Sequence, residues 1–162
     1  MNCLILAAGF ETRLRGVSPS KPLTPVAGMP LIEHVVRRAA DGGATRFVVV
    51  TGYVAERVEE FLGGLRRRTG LPISFARCED WTRANGHSVL AGVAQIEGDY
   101  LLLMSDHIFT AQILERLARE GDSSRGVTLA IDRRLDNPLV DPDDATWVRT
   151  GPPGRIERIG KT

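Results

Sequence analysis

Three short stretches of this chain are apolar almost without interruption: Asn2 to Ala8, Phe47-Val48-Val49-Val50, and Tyr100 to Met104. A strand with one wet face alternates apolar and polar residues, so an unbroken apolar strand has to be covered on both faces. The segments between them carry helical spacing instead. Leu31, Val35 and Val36 follow Pro30, which suits the first turn of a helix ending near Gly42-Gly43. Val54 to Arg68 places Val58, Phe61, Leu62 and Leu65 on one side, and Gly86 to Ile96 reads as a helix capped by Asn85 or a neighbour. Thr110 to Glu120, capped by Thr110, is a further helix, and Pro72 to Ala76 a further strand. Strand and helix in alternation predict a three-layer α/β domain built on a mostly parallel sheet. The pattern weakens after Val127 to Ile131. Thr146 to Arg149 and Arg155 to Ile159 then read as a hairpin across Gly151-Pro152-Pro153-Gly154.

At 162 residues, a single domain spanning 1–162 is expected. A hydrophobic fraction of 43% excludes a disordered chain. No apolar run approaches the roughly 20 residues that span a bilayer, and the start, Met1-Asn2-Cys3-Leu4, lacks the basic leader of a signal peptide. A net charge of +1 argues against general nucleic-acid affinity. Cys3 and Cys78 have neither metal nor redox spacing, so a reduced, cytoplasmic protein is expected.

Open α/β sheets bind ligands outside the carboxyl ends of their strands. Two segments fall there: the loop from Gly9 onward, and Ser105-Asp106-His107. The loop is neither a P-loop nor a dinucleotide fingerprint, because the glycines and the Gly-Lys-Ser/Thr ending are missing. It holds Leu6-Ala7-Ala8-Gly9-Phe10-Glu11-Thr12-Arg13-Leu14, then Lys21-Pro22-Leu23, Pro25-Val26 and Gly28-Met29-Pro30. Ala7, Ala8 and Gly9 are small enough to admit a flat base close to the backbone. The loop's amides, with Arg13 and Lys21, suit a polyphosphate. Taken singly, Gly9 also fits an ordinary turn and Arg13 a solvated surface charge. Lys21 stands out: of 21 basic residues only Lys21 and Lys161 are lysine, and Pro22 fixes the backbone beside Lys21.

In order and spacing this series resembles the signature of the nucleotidyltransferases that make sugar- and alcohol-diphosphonucleotides. Their usual pattern is Leu-Ala-Ala-Gly-x-Gly-Thr-Arg-Leu followed by Lys-Pro-Leu and Pro-Val, and the resemblance extends over nearly all of the chain. Asn85-Gly86-His87-Ser88-Val89-Leu90, Leu103 to Phe109, Ala145-Thr146, Gly154-Arg155-Ile156 and Ile159-Gly160-Lys161 are similar to the cytidylyltransferase branch. Within it, the inositol 1-phosphate cytidylyltransferases are the most similar.

The resemblance implies a three-layer Rossmann-like nucleotidyltransferase fold and a set of roles. Leu6, Ala7, Ala8, Gly9, Phe10, Glu11 and Thr12 would hold the base and phosphates. Arg13 and Lys21 would neutralise the triphosphate during catalysis. Asn85, Gly86 and Ser88 would fix base and ribose, and Asp106 would bind Mg²⁺. The implied reaction passes CMP from CTP to a phosphomonoester such as inositol 1-phosphate, and pyrophosphate leaves. Its partners are therefore CTP, or another NTP, and a phosphorylated small molecule. A sugar 1-phosphate, phosphocholine or a phosphonate is the alternative acceptor, and a non-catalytic nucleotide-binding domain of the same fold is the rival class. Asn85 also suits a helix cap, and Asp106 a turn carboxylate. His34, His87 and His107 have no metal-ligand spacing and are not expected to be catalytic. Glu11 departs from the family's glycine and sets a carboxylate where a triphosphate should lie. The family normally continues past Ile159-Gly160-Lys161 into segments that carry the acceptor pocket and a second metal-binding aspartate, so a C-terminally incomplete domain is expected.

Overall fold

Strand β1 (Asn2–Ala7) is the centre of the architecture in a computed structural model that describes residues 1–10 and 20–161. After it come a single 3-10 turn (Lys21–Leu23), two-residue strands β2 (Pro25–Val26) and β3 (Met29–Pro30), and helix α1 (Leu31–Asp41). Then follow β4 (Arg46–Thr51), α2 (Ala55–Thr69), β5 (Ile73–Arg77), α3 (Asn85–Val93), β6 (Tyr100–Met104) and α4 (Ala111–Glu120). These elements belong to one compact unit, Met1–Val127; residues Thr128–Thr162 form a second.

The main sheet has the order β5-β4-β1-β6, and every pairing in it is parallel. Ile5 stands between Val49 on one neighbour and Leu103 on the other. β1 and β4 are covered on both faces, as their unbroken apolar runs demand; the same expectation for β6 is corrected, because at the edge of the sheet Leu101 and Leu103 are buried while Tyr100 and Leu102 are exposed. On one face Cys3, Ile5, Phe47, Val49, Leu101 and Leu103 pack against Ile32, Val35 and Val36 of α1, Val58, Leu62 and Leu65 of α2, and Leu114 of α4. On the other, Leu4, Leu6, Ala8, Val48 and Val50 meet α3 and Trp81. The result is an α/β Rossmann-like fold. Gly92 sets how closely α3 approaches: a Cβ there would run into the Leu4 side chain and come within 2.7 Å of Val50 Cγ2.

The caps of α3 and α4 fall where expected, at a neighbour of Asn85 and at Thr110, but neither is closed by a side-chain bond. Helix α3 begins at Asn85, with Ala84 in the cap position and no side-chain cap hydrogen bond. Ala84 already has extended dihedrals, φ −57° and ψ 149°, so Asn85 is drawn into the first turn. Thr110 does occupy the cap position of α4, but its side chain makes no cap bond. α3 also ends at Val93, short of Ile96. Pro30 likewise stands one position before α1 and closes the small β2–β3 ladder instead.

The second unit contains the expected hairpin, β7 (Trp147–Gly151) against β8 (Arg155–Gly160), antiparallel with a register shift between Arg149 and Thr150. Trp147 Nε1 donates to the Pro142 carbonyl at 3.2 Å, and Lys161 pairs with Asp144. Cys3 and Cys78 are both buried thiols on opposite faces of the main sheet; burial pushes Cys3 up to about 12. Among the described residues no helix is long and apolar enough to cross a membrane.

Candidate active site

From β1 the chain passes through α1 to β4 on one side, and later returns through α3 to β6 on the other. Connections that leave in opposite directions open a crevice at the carboxyl ends of the two strands. Ser105 N–H donates to the Leu6 carbonyl at 3.0 Å, which ties the end of β6 to the end of β1. A cavity of about 220 Å³ lies at this point.

The cavity brings together most of the residues singled out in the sequence. Leu6, Ala7, Ala8, Gly9 and Phe10 line it from the end of β1, and Asn85 and Ser88 from the first turns of α3. Lys21 and Asp106 complete the lining, with Pro22, Met104 and Ser105 between them. Asn85 reaches the cavity because it is the first residue of the helix, and the Ser88 hydroxyl group belongs to a buried residue. Gly86 does not line the cavity; it sits on the same turn, with nothing within 4 Å of a Cβ placed there. Glu11, Thr12 and Arg13 lie outside the described residues.

Charge concentrates at one corner. Lys21 is held by the 3-10 turn that Pro22 starts, and Thr24 N–H donates back to the Lys21 carbonyl at 3.1 Å. Its Nζ stands 2.6 Å from Asp106 Oδ2, while His107 Nδ1 is 2.7 Å from Asp106 Oδ1. The His107 hydrogen bond, then Lys21, hold the Asp106 carboxyl well below the usual range, against partial burial that works the other way. His107 is raised in turn by the same hydrogen bond. Asp106 is thus an ionised carboxylate at a cavity wall. His34 has a different part: its Nε2 is 2.8 Å from the Val26 carbonyl and ties α1 to β2.

Among the described residues there is no group of three His, Cys, Asp or Glu side chains placed to hold a metal. That donor set still fits Mg²⁺, which keeps several waters and phosphate oxygens and takes only one or two carboxylates from a protein. Asp106 offers one ionised oxygen donor facing the cavity.

Sequence reasoning missed the aromatic flank. Phe10, which lines the cavity, clusters with Tyr53 and Trp81, with ring centroids 4.6 Å apart for Phe10–Tyr53 and 5.4 Å for Tyr53–Trp81. They come from the ends of β1 and β4 and the segment after β5, so only the strand order brings them together. No local spacing announces it.

Comparison with known proteins bears on the family and the fold. The chain is 40% identical over 159 residues to the bifunctional IPC transferase and DIPP synthase of Rubrobacter xylanophilus, covering 97% of this chain and 34% of that protein. It is 29% identical over 148 residues to the UTP–glucose-1-phosphate uridylyltransferase AglF of Haloferax volcanii, covering 90% of this chain and 57% of that one. The fold matches the inositol-1-phosphate CTP transferase from T. maritima with a TM-score of 0.78 at 22% identity, over 99% of this chain and 63% of that one. The chain spans about a third of the length of the first curated relatives it matches. The MobA-like NTP transferase domain family matches residues 3–148, from β1 through the crevice and into β7. Because that match covers most of the chain, this protein belongs to the MobA-like NTP transferase domain family, a nucleotidyltransferase-type family.

Proposed function

We propose that residues 1–162 are the NTP-binding domain of a cytidylyltransferase that passes CMP from CTP to a phosphomonoester such as inositol 1-phosphate. The carrying observation is that Lys21 and Asp106 meet, 2.6 Å apart, on the wall of a cavity that Ala7, Ala8 and Gly9 also line. A cation and an anion beside a surface of small residues suit a metal-bound polyphosphate and a flat base together. The cytidylyl reading is supported by Asn85-Gly86-His87-Ser88 and Ser105-Asp106-His107, and by two relatives named as IPC transferases, from Rubrobacter xylanophilus and Archaeoglobus fulgidus.

The chemistry follows from charge. An oxygen of the acceptor phosphate attacks the α-phosphorus in line, the bond to the β-phosphate oxygen breaks, and pyrophosphate leaves. That oxygen is already anionic, so no side chain has to remove a proton from it. The protein's work is alignment and neutralisation. Lys21 places a compact ammonium at the phosphate end of the cavity. Ala8 and Gly9 leave the backbone open to the base, and Asn85 and Ser88 offer polar groups to base and ribose. Asp106 would hold Mg²⁺, which when bound offsets charge on the phosphate oxygens and the leaving pyrophosphate.

The test is calorimetric titration of CTP with and without Mg²⁺, followed by pyrophosphate release on adding inositol 1-phosphate. Magnesium-dependent binding with release is expected. Binding without release on inositol 1-phosphate, phosphocholine or glucose 1-phosphate would sink the transferase reading for this chain. A preference for UTP or dTTP would move it to the sugar branch.

A further inference from the structure

Phe10 lines the cavity yet is 39% exposed, an unusual position for a large apolar ring beside a charged corner. It does not stand alone. Tyr53 meets it edge-to-face at 4.6 Å and 74°, and Trp81 lies 6.2 Å from Phe10 and 5.4 Å from Tyr53. Such geometry is the favoured one for aromatic pairs.

The backbone beneath this cluster is built to an unusual specification. Val54, a β-branched residue, sits in the left-handed region at φ +48°, a costly conformation for its type. Strain of this kind persists where surrounding structure enforces it, and it gathers at functional sites. Here the turn is enforced from both sides. Tyr53 N–H donates to the Ala8 carbonyl at 3.0 Å. Gly52 is packed so closely that a Cβ would lie 2.9 Å from Ala8 Cβ and 2.6 Å from Trp81 Cβ. The turn at 52–54 is therefore packed against both Ala8 and Trp81, and it delivers Tyr53 against Phe10.

We propose that Phe10, clamped by Tyr53 and Trp81, is an aromatic wall that takes the face of the nucleotide's base, and that Tyr53 and Trp81 are its positioning residues. This rests on the nucleotide reading above and adds to it an affinity element for the base. The ligand class is a nucleobase joined to a polyphosphate: the ring system meets Phe10 and the phosphates run toward Lys21. Every base has a π face, so the wall supplies affinity, and the polar groups of Asn85 and Ser88 are left to choose between bases.

The test uses the full chain in a Trp147→Phe background, so that Trp81 is the sole tryptophan reporter. CTP is titrated against inorganic tripolyphosphate, which has the charge but no base. CTP should quench Trp81 emission and tripolyphosphate should not. Tyr53→Leu and Trp81→Leu should each weaken CTP binding by about tenfold, the size expected for losing an ordered stacking partner, while tripolyphosphate binding stays within about twofold. Trp81→Phe should restore most of the loss. Unchanged CTP affinity in both leucine variants would overturn the wall, as would CTP and tripolyphosphate weakening in parallel, which is the signature of a merely structural turn. If the unsubstituted protein binds none of CTP, UTP or ATP, the nucleotide reading itself fails and the wall falls with it.

Discussion

Two carboxylates at the carboxyl edge of the sheet have almost the same surroundings and opposite meanings. Asp106 follows β6 and Glu59 rises from α2, and each is 19% exposed. Both are held below their usual range by a cation and a second donor: His107 and Lys21 for Asp106, Arg77 and Thr51 for Glu59. Their neighbours separate them. β4, α2 and β5 are consecutive, so α2 closes over the strand ends, and Glu59 simply joins Thr51 of β4 to Arg77 of β5 at 2.7 and 2.9–3.0 Å. β1 and β6 are not consecutive, and the crevice between their ends stays open. The cations differ too. A guanidinium fork locks a carboxylate in two parallel bonds, whereas an ammonium is a point charge on a flexible stem that can be exchanged for another partner. Buried Glu33 is likewise tied by Arg37 and Arg68. The pairs at Glu59 and Glu33 are made by arginine, whereas Asp106 meets one of the chain's two lysines.

The largest effect should come from Asp106→Asn, which keeps the shape and removes the charge. Turnover, read as pyrophosphate release, should fall by about 10²–10³-fold, the loss of several kcal/mol of phosphate-charge stabilisation, with the melting temperature nearly unchanged. If turnover survives within a fewfold, Asp106 is a staple like Glu59 and the contrast breaks. Lys21→Arg comes next. It preserves the charge but offers Asp106 a fork that would lock the pair, so a loss of about 10²-fold is expected. The converse exchange, Arg77→Lys, should leave nucleotide binding intact while lowering the urea midpoint of unfolding. Between the two regions stands Gly92→Ala, which pushes α3 away from Leu4 and Val50. It should cost about 1–3 kcal/mol of stability and weaken CTP binding through the displaced Asn85 and Ser88.

Most of the fold was legible because β1 and β4 lack alternation, and that alone demands cover on both faces; β6 reads the same way, yet as an edge strand it leaves Tyr100 and Leu102 exposed. The helix starts were read one residue off for a local reason. Asn85 looked like a cap because its side chain suits one, but Ala84 takes the extended conformation first, and the amide is left to the cavity. Nothing in Tyr53-Val54 announces a left-handed valine. The site was legible as two separate pieces, the small-residue loop with Lys21 and the aspartate after β6. Their contact was not, because it depends on β6 returning beside β1, and neither was the Phe10–Tyr53–Trp81 cluster, for the same reason. Local pattern carries the residue types; strand order carries their meeting.

The smallest expected effect is the one that tests Glu59 as pure scaffold. Glu59→Gln keeps an acceptor for Thr51 and breaks the charge pair with Arg77, so at neutral pH it should cost about 1 kcal/mol and leave CTP affinity alone. Its pH dependence is more telling. The Arg77 hydrogen bonds, helped by Thr51 and opposed by partial burial, lower the folded Glu59 below its usual 4.5. A carboxyl lowered on folding contributes stability that is fully present above the unfolded value and is lost as pH falls through the folded one. The stability gap between wild type and Glu59→Gln should therefore be constant above about pH 6 and close as acid protonates Glu59. Urea unfolding of the two proteins across that range measures it. A gap that stays open in acid would mean that packing, not charge, fixes α2 to the strand ends, and the likeness between the two carboxylates would be one of position only.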